Sequence, residues 1–197
     1  MPRKRQSTKS RIVKTAWNLF YKKGYENTTV EDIIVASQTS KGTFYHYFKG
    51  KDALLGSLSY LFDQKYEELK ETIDPTLSAY DKLFILNREL FDMIQESVDI
   101  GLLAYMYSSQ LVTKDKRHLL DSKRTYYIWI NEIIELGQKS GEFTNKKTTK
   151  ELVKLYAMFE RALLYDWALC KGKYDLVDYA SSLLPTVLNT FKSEFYK

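Results

Sequence analysis

Between Thr28 and Lys51 the chain concentrates side chains suited to a polyanionic partner. Ser40, Lys41, Thr43, Tyr45, His46, Tyr47 and Lys51 all carry polar hydrogens, and Thr28 and Thr29 add two hydroxyls a little upstream. Hydroxyls, ammonium groups and phenols in this order do not assemble a nucleophile with its base. They do match phosphate oxygens and the acceptor edges of bases in a DNA groove. Gly42 leaves the backbone uncovered, so a partner can approach closely. His46 either touches a phosphate or stands exposed beside the contact.

Charge follows the same division. Residues 1–51 hold eleven Lys and Arg against three Asp and Glu, whereas the whole chain of 197 residues carries a formal +5. The remainder is therefore mildly acidic, and a basic head on an acidic body fits a head that meets a polyanion. A basic tail that only keeps the chain soluble has the same charge, so spacing must separate the two readings.

Other chemistries find little support. There is no Walker loop, no dinucleotide-binding glycine fingerprint and no nucleophile elbow. Two histidines, His46 and His118, make no metal cluster, and the single cysteine, Cys170, excludes an intrachain disulfide framework. No metal, no cofactor and no enzymatic activity are expected. The chain has no run of 18 apolar residues, and polar residues follow the basic lead Arg3–Gln6 where a signal peptide needs an apolar stretch. A cytoplasmic protein without a membrane contact is expected.

The elements that must hold the donor run are helices. Ile12, Val13, Ala16, Trp17 and Phe20 recur at helical spacing from Ser7 to Lys23, and Gly24 closes that helix. Thr29 with Asp32 has capping-box spacing and opens a short second helix. Ser37, Gln38 and Thr39 form a tight polar connection, and Ser40 caps a third helix over 41–47. Short helix, turn and short helix is the helix-turn-helix arrangement, in which the second helix enters the major groove by its N-terminal residues. Further helices are expected from Lys51 to Ile73, from Pro75 behind an Asp74 cap, over 100–111, from His118 to Lys139, from Thr148 to Cys170 and from Asp175 onward, with Thr113–Arg117 as a loop. Pro185 is expected to kink the last of them. The fold class is all-α with about nine helices.

Residues 12–55 resemble the DNA-binding domain of the TetR (tetracycline repressor) family. The resemblance rests on Ile12, Ala16, Leu19-Phe20, Gly24-Tyr25, Thr28-Thr29-Val30, Ile33-Ile34 and Ala36, and above all on Ser40-Lys41-Gly42-Thr43-Phe44-Tyr45-His46-Tyr47-Phe48 with Lys51-Asp52-Ala53-Leu54. It implies a helix-turn-helix domain over 1–50 and a helical effector-binding and dimerisation domain over 51–197. It implies that Lys41, Gly42, Thr43 and Tyr45 face the groove, with phosphate contacts from Thr28 or Thr29, Tyr47 and Lys51. Gln38 stands where the family usually has glycine, so the turn must tolerate a left-handed residue or shift. Beyond residue 55 the likeness is one of outline, with the phrase Gly137 to Phe143 in register.

The function implied is a sequence-specific DNA-binding transcriptional regulator, an effector-released homodimeric repressor with an operator and a small-molecule effector as partners. Phe62, Tyr66, Asn87, Phe91, Tyr105, Trp129 and Phe159 lie on helices that would surround an effector, although aromatic stripes also simply fill cores. Asn87 stands out, because an amide on an apolar stripe needs a partner when buried. The last two long helices carry apolar residues on two faces, which points to a two-fold interface through Leu155, Phe159, Leu163, Leu184, Leu188 and Phe191. Two other readings stay open: a helix-turn-helix regulator controlled by a protein partner, and a helical-bundle enzyme whose basic head only docks it.

Overall fold

The computed structural model describes residues 7–55, 57–112 and 117–194. The basic lead Arg3–Gln6 and residues 113–116 of the expected loop lie outside them. Among the described residues ten α-helices follow one another: α1 (Thr8–Lys23), α2 (Val30–Ala36), α3 (Lys41–Tyr47), α4 (Asp52–Leu55), α5 (Leu58–Thr72), α6 (Ala79–Ser97), α7 (Ile100–Val112), α8 (Thr125–Lys139), α9 (Thr149–Leu169) and α10 (Leu176–Asn189), with a 3-10 turn at His118–Leu120. Among the described residues there is no strand beyond an isolated bridge between Phe143 and Lys192. The all-α expectation is met.

Several boundaries differ from the sequence reading, each for a local reason. The helix expected from Lys51 breaks into α4 and α5. At the break, Ser57 donates to the Leu54 carbonyl and accepts from the Trp17 indole at 3.0 Å. A side chain that bonds locally to backbone competes with helix continuation. α6 starts at Ala79, not at Pro75. Asp74 instead accepts from the Thr76 amide and hydroxyl at 2.8 and 2.7 Å, and Ser78 accepts from the Asp81 amide at the true helix start. α8 starts at Thr125, after the 3-10 turn. Pro185 sits inside α10, which runs through it without interruption.

The chain forms two compact units. One draws on Met1–Leu61 and Val98–Leu119, the other on Phe62–Ser97 and Leu120–Lys197. α7, expected to belong to the body, therefore groups with the head. Its Tyr105 ring lies 5.3 Å from that of Tyr25, and its hydroxyl donates to Glu26 at 2.9 Å, a contact across 79 positions of sequence.

In the first unit α1 packs on α2 and α2 on α3. Ile12, Ala16, Phe20, Ile33, Phe44 and Leu54 are wholly buried. Each such side chain contributes about 1.5–3 kcal/mol by leaving water. In the second unit α6 packs on α8 and α10, and α9 packs on the same two helices. This corrects part of the expected interface. Leu184, Leu188 and Phe191 have no accessible surface, and Leu163 is nearly as buried. The Phe191 ring meets Phe143 edge-on at 5.8 Å. These residues fill the protomer's own core, because α10 turns its apolar stripe inward. Leu155 and Phe159 are half-buried on the outer side of α9.

Two helix starts are capped from a distance. The buried Glu142 carboxylate accepts the Ala79 and Tyr80 amides, each at 2.8 Å. Asp63 on α5 accepts the Tyr126 amide at 3.2 Å and pairs with Arg124 at 2.9 Å. Beside Glu142, Gly137 leaves no room for a side chain, since a Cβ there would lie 2.5 Å from the Phe143 ring and 2.8 Å from Ala79. Gly137→Ala is expected to lower stability by about 1–3 kcal/mol, read by chemical denaturation, because overpacking forces backbone shifts. An unchanged midpoint would show that the α6–α8 packing yields freely.

Candidate nucleic-acid interface and a buried polar cluster

The helix-turn-helix is held from below and bare above. Thr29 and Asp32 form the complete capping box on α2. The amide and hydroxyl of Thr29, with the Lys23 ammonium, hold the Asp32 carboxyl down at about 2. The turn closes with a Schellman pattern, Thr39 amide to Ile34 carbonyl at 3.1 Å, and Gln38 takes φ 52°. The chain makes this left-handed turn without a glycine. Gln38→Gly is expected to stabilise by about 0.5 kcal/mol, as relief of the left-handed strain slightly exceeds the entropy glycine loses. Thermal unfolding checks this, and a clear loss of stability would mean that the glutamine side chain holds the turn.

Ser40 caps α3, accepting from the Thr43 amide at 3.0 Å. Phe44 anchors the helix from its buried side, and its ring meets Phe48 at 5.9 Å. Lys41, Gly42, Tyr45, His46 and Tyr47 are then exposed, and Thr43 is half-buried. Tyr45 and Tyr47, at 46% and 40% exposed, are large aromatics turned to solvent beside a lysine. The rings of His46 and Tyr47 stack edge-on at 4.9 Å.

Two of the residues expected to contact DNA have partners within the chain. Thr28 is buried and its hydroxyl donates to the Gly24 carbonyl at 2.8 Å, so it fastens the turn after α1 and offers nothing to a phosphate. Lys51 points its ammonium at the Tyr25 carbonyl, 2.8 Å away, and lies 4.3 Å over the Tyr25 ring. It ties the end of the head to the α1–α2 connection. Thr29 stays exposed while its hydroxyl serves the capping box.

The expected effector residues divide. Tyr105 belongs to the first unit, as described above, and Phe159 is half-buried on α9. Phe62, Tyr66, Asn87, Phe91 and Trp129 are buried in the second unit. Two of them, Asn87 and Tyr66, act on a buried carboxylate there. Glu160 on α9, 3% exposed, accepts from Asn87 Nδ2 at 2.9 Å and from the Tyr126 hydroxyl at 2.6 Å. Burial raises its pKa above the ordinary carboxylate range, against the hydrogen bonds of Tyr126 and Asn87. Tyr156 borders the cluster and donates to the Leu83 carbonyl at 2.8 Å. The Tyr66 hydroxyl is buried and has no hydrogen-bond partner.

Residues 12–58 match the family model described as bacterial regulatory proteins of the tetR family, and residues 61–190 match that of the YsiA-like protein C-terminal region. The chain belongs to the tetR family of bacterial regulatory proteins. It is a helix-turn-helix transcriptional regulator. An HTH-type transcriptional regulator of Bacillus subtilis, YvdT, is 25% identical over 160 residues, covering 79% of this chain and 81% of the relative. The Fatty acid metabolism regulator protein of the same organism is 22% identical, over 90% and 92% of the two chains. Among solved structures, Thermus thermophilus FadR in complex with lauroyl-CoA has a TM-score of 0.73 at 22% identity, covering 93% of this chain and 94% of that one. Bacillus subtilis FadR in complex with stearoyl-CoA has a TM-score of 0.68 at 23% identity, covering 92% and 98%. At these identities the likeness is one of fold.

For this tetR-family regulator, the residue that sequence reasoning missed is Glu160. It occupies the inward stripe of α9 with Val153, Ala157 and Leu164. A charged residue at helical spacing within an apolar stripe was the available signal, and Asn87 on α6 was its mate.

Proposed function

We propose that this regulator is an effector-released dimeric repressor that reads its operator with α3. The single observation that carries the reading is the face formed by Lys41, Gly42 and Tyr45, exposed together on a short helix whose other side is anchored by Phe44. Lys41 and Tyr45 donate to base edges or phosphates, Ser40 and Thr43 add hydroxyls, and Tyr47 and His46 flank the contact. Two such heads on one dimer would enter successive major grooves, roughly 34–36 Å apart. An effector bound in the helical body lowers operator affinity to the extent that it prefers the conformation that no longer fits.

The pairing surface we assign is the outer face of α9. Leu155 and Phe159 lie half-buried there, and Met158, Tyr165 and Leu169 are 49%, 46% and 62% exposed at helical spacing. A contiguous apolar stripe of this kind is unusual on a monomer. Met158→Glu with Tyr165→Glu is expected to give a monomer by sedimentation equilibrium and to weaken binding to a two-half-site DNA by about 100-fold or more, since the two heads then bind independently. A variant that stays dimeric and binds normally would place the interface elsewhere.

A further inference from the structure

The buried polar cluster of the body places a carboxyl group among neutral donors, away from water. Glu160 receives its hydrogen bonds from neutral donors, the amide of Asn87 and the hydroxyl of Tyr126. The cation that acts on it through space, Arg161, directs its guanidinium to the Tyr127 hydroxyl at 2.9 Å. A carboxyl group hydrogen-bonded in the interior by neutral donors is costly to ionise, and an opposite charge brought beside it recovers much of that cost. Next to it the Tyr66 hydroxyl is fully buried and makes no hydrogen bond, although it lies within electrostatic reach of Glu160. Its oxygen is an unused acceptor. Aromatic rings pack around it: the Tyr66 ring meets Tyr126 at 5.2 Å and Trp129 at 6.1 Å, both edge-on. Ring faces attract cations, most strongly when water is excluded.

We propose that Glu160 and Tyr66 form the recognition point for an apolar organic cation, a protonated amine on a hydrophobic body, as this regulator's effector. The ammonium donates to the Glu160 carboxylate and to the Tyr66 oxygen, and its apolar part packs against Trp129 and Tyr126. An apolar carboxylate would meet like charge at the same point and is excluded. Tyr66 and Tyr156 have no accessible surface in this conformation. Entry therefore requires the helices around them to move, and ligand binding selects a different arrangement of the body. This inference rests on the effector reading above and names the class of its ligand.

The test uses the full-length wild-type protein, three length-matched probes, 4-phenylbutylamine, 4-phenylbutanol and 4-phenylbutyrate, and lauroyl-CoA as a fourth, each titrated by calorimetry. The amine is expected to bind about ten-fold or more tightly than the alcohol and the carboxylate. Glu160→Gln, which keeps the shape and removes the charge, is expected to erase that preference. Tyr66→Phe is expected to weaken the amine several-fold and leave the alcohol unchanged; it carries the test if Glu160→Gln does not fold. Absence of amine binding up to about 1 mM, or a preference that survives both substitutions, overturns the proposal. If lauroyl-CoA or the carboxylate binds and dissociates the DNA complex while the amine does neither, the amine class falls and the effector reading stands. If no probe binds, the amine proposal falls, and DNA binding that no probe alters counts against the effector reading as well.

Discussion

The double variant Lys41→Ala, Tyr45→Ala will bind the regulator's operator roughly 100- to 1,000-fold more weakly than wild type at about 150 mM salt. Both side chains are exposed on α3 and neither supports the core, which is held by Phe44, Ile33 and Phe20 on the opposite side. Each lost contact to a base or phosphate removes about 1 kcal/mol or more, and a dimer loses every contact twice. The salt dependence should change in step. Two lysine–phosphate interactions fewer reduce the slope of log affinity against log salt by about two. Far-UV circular dichroism should stay at the wild-type value and the unfolding midpoint close to it, because Lys41 is exposed and Tyr45, 46% exposed, gives up only its edge contact with Phe44. A variant that binds as tightly as wild type would take the reading helix away from α3.

Glu142→Ala will lower the stability of the second unit by about 2–4 kcal/mol, a fall of roughly 6–12 °C in the unfolding midpoint for a chain of this size. The carboxylate is 4% exposed, and both its oxygens are used, one on the Ala79 amide and one on the Tyr80 amide. Helix starts leave such amides without intrahelical partners. Alanine would strand two donors at the start of α6 and open a void beside Phe143, which packs against Phe191. Glu142→Gln keeps one acceptor oxygen and should cost about half as much. Equal losses for the two variants would mean that the charge, and not the hydrogen bonds, caps α6.

The head was largely legible in the sequence because its signals are local. Thr29 with Asp32, Ser40 with Thr43, and Gly24 at φ 81° each act within three residues or at a single backbone position. Even the exposed face of α3 follows from the spacing around Phe44. What stayed hidden depends on partners far away in sequence. Thr28 reads as a surface hydroxyl until the turn folds over it, and Lys51 reads as a phosphate ligand until Tyr25 arrives beneath it. Glu142 and Asp63 each accept a helix-start amide 63 positions away. No local rule pairs them. The α10 residues Leu184 and Leu188 carried the right apolar character for an interface, but periodicity does not say whether a stripe meets its own core or another chain. Glu160 is the instructive case, since its position on an apolar stripe was visible while its partners, on α6 and α8, were not.

The central claim is that α3 reads DNA as one of a symmetric pair. Selection of the full-length protein against random duplex DNA, followed by sequencing of the bound fraction, tests it most directly. The predicted result is one enriched, partly palindromic site with half-sites about ten base pairs apart, centre to centre, whose enrichment disappears for Lys41→Ala, Tyr45→Ala. Selection that enriches no sequence, or that enriches the same site for the double variant, would contradict it.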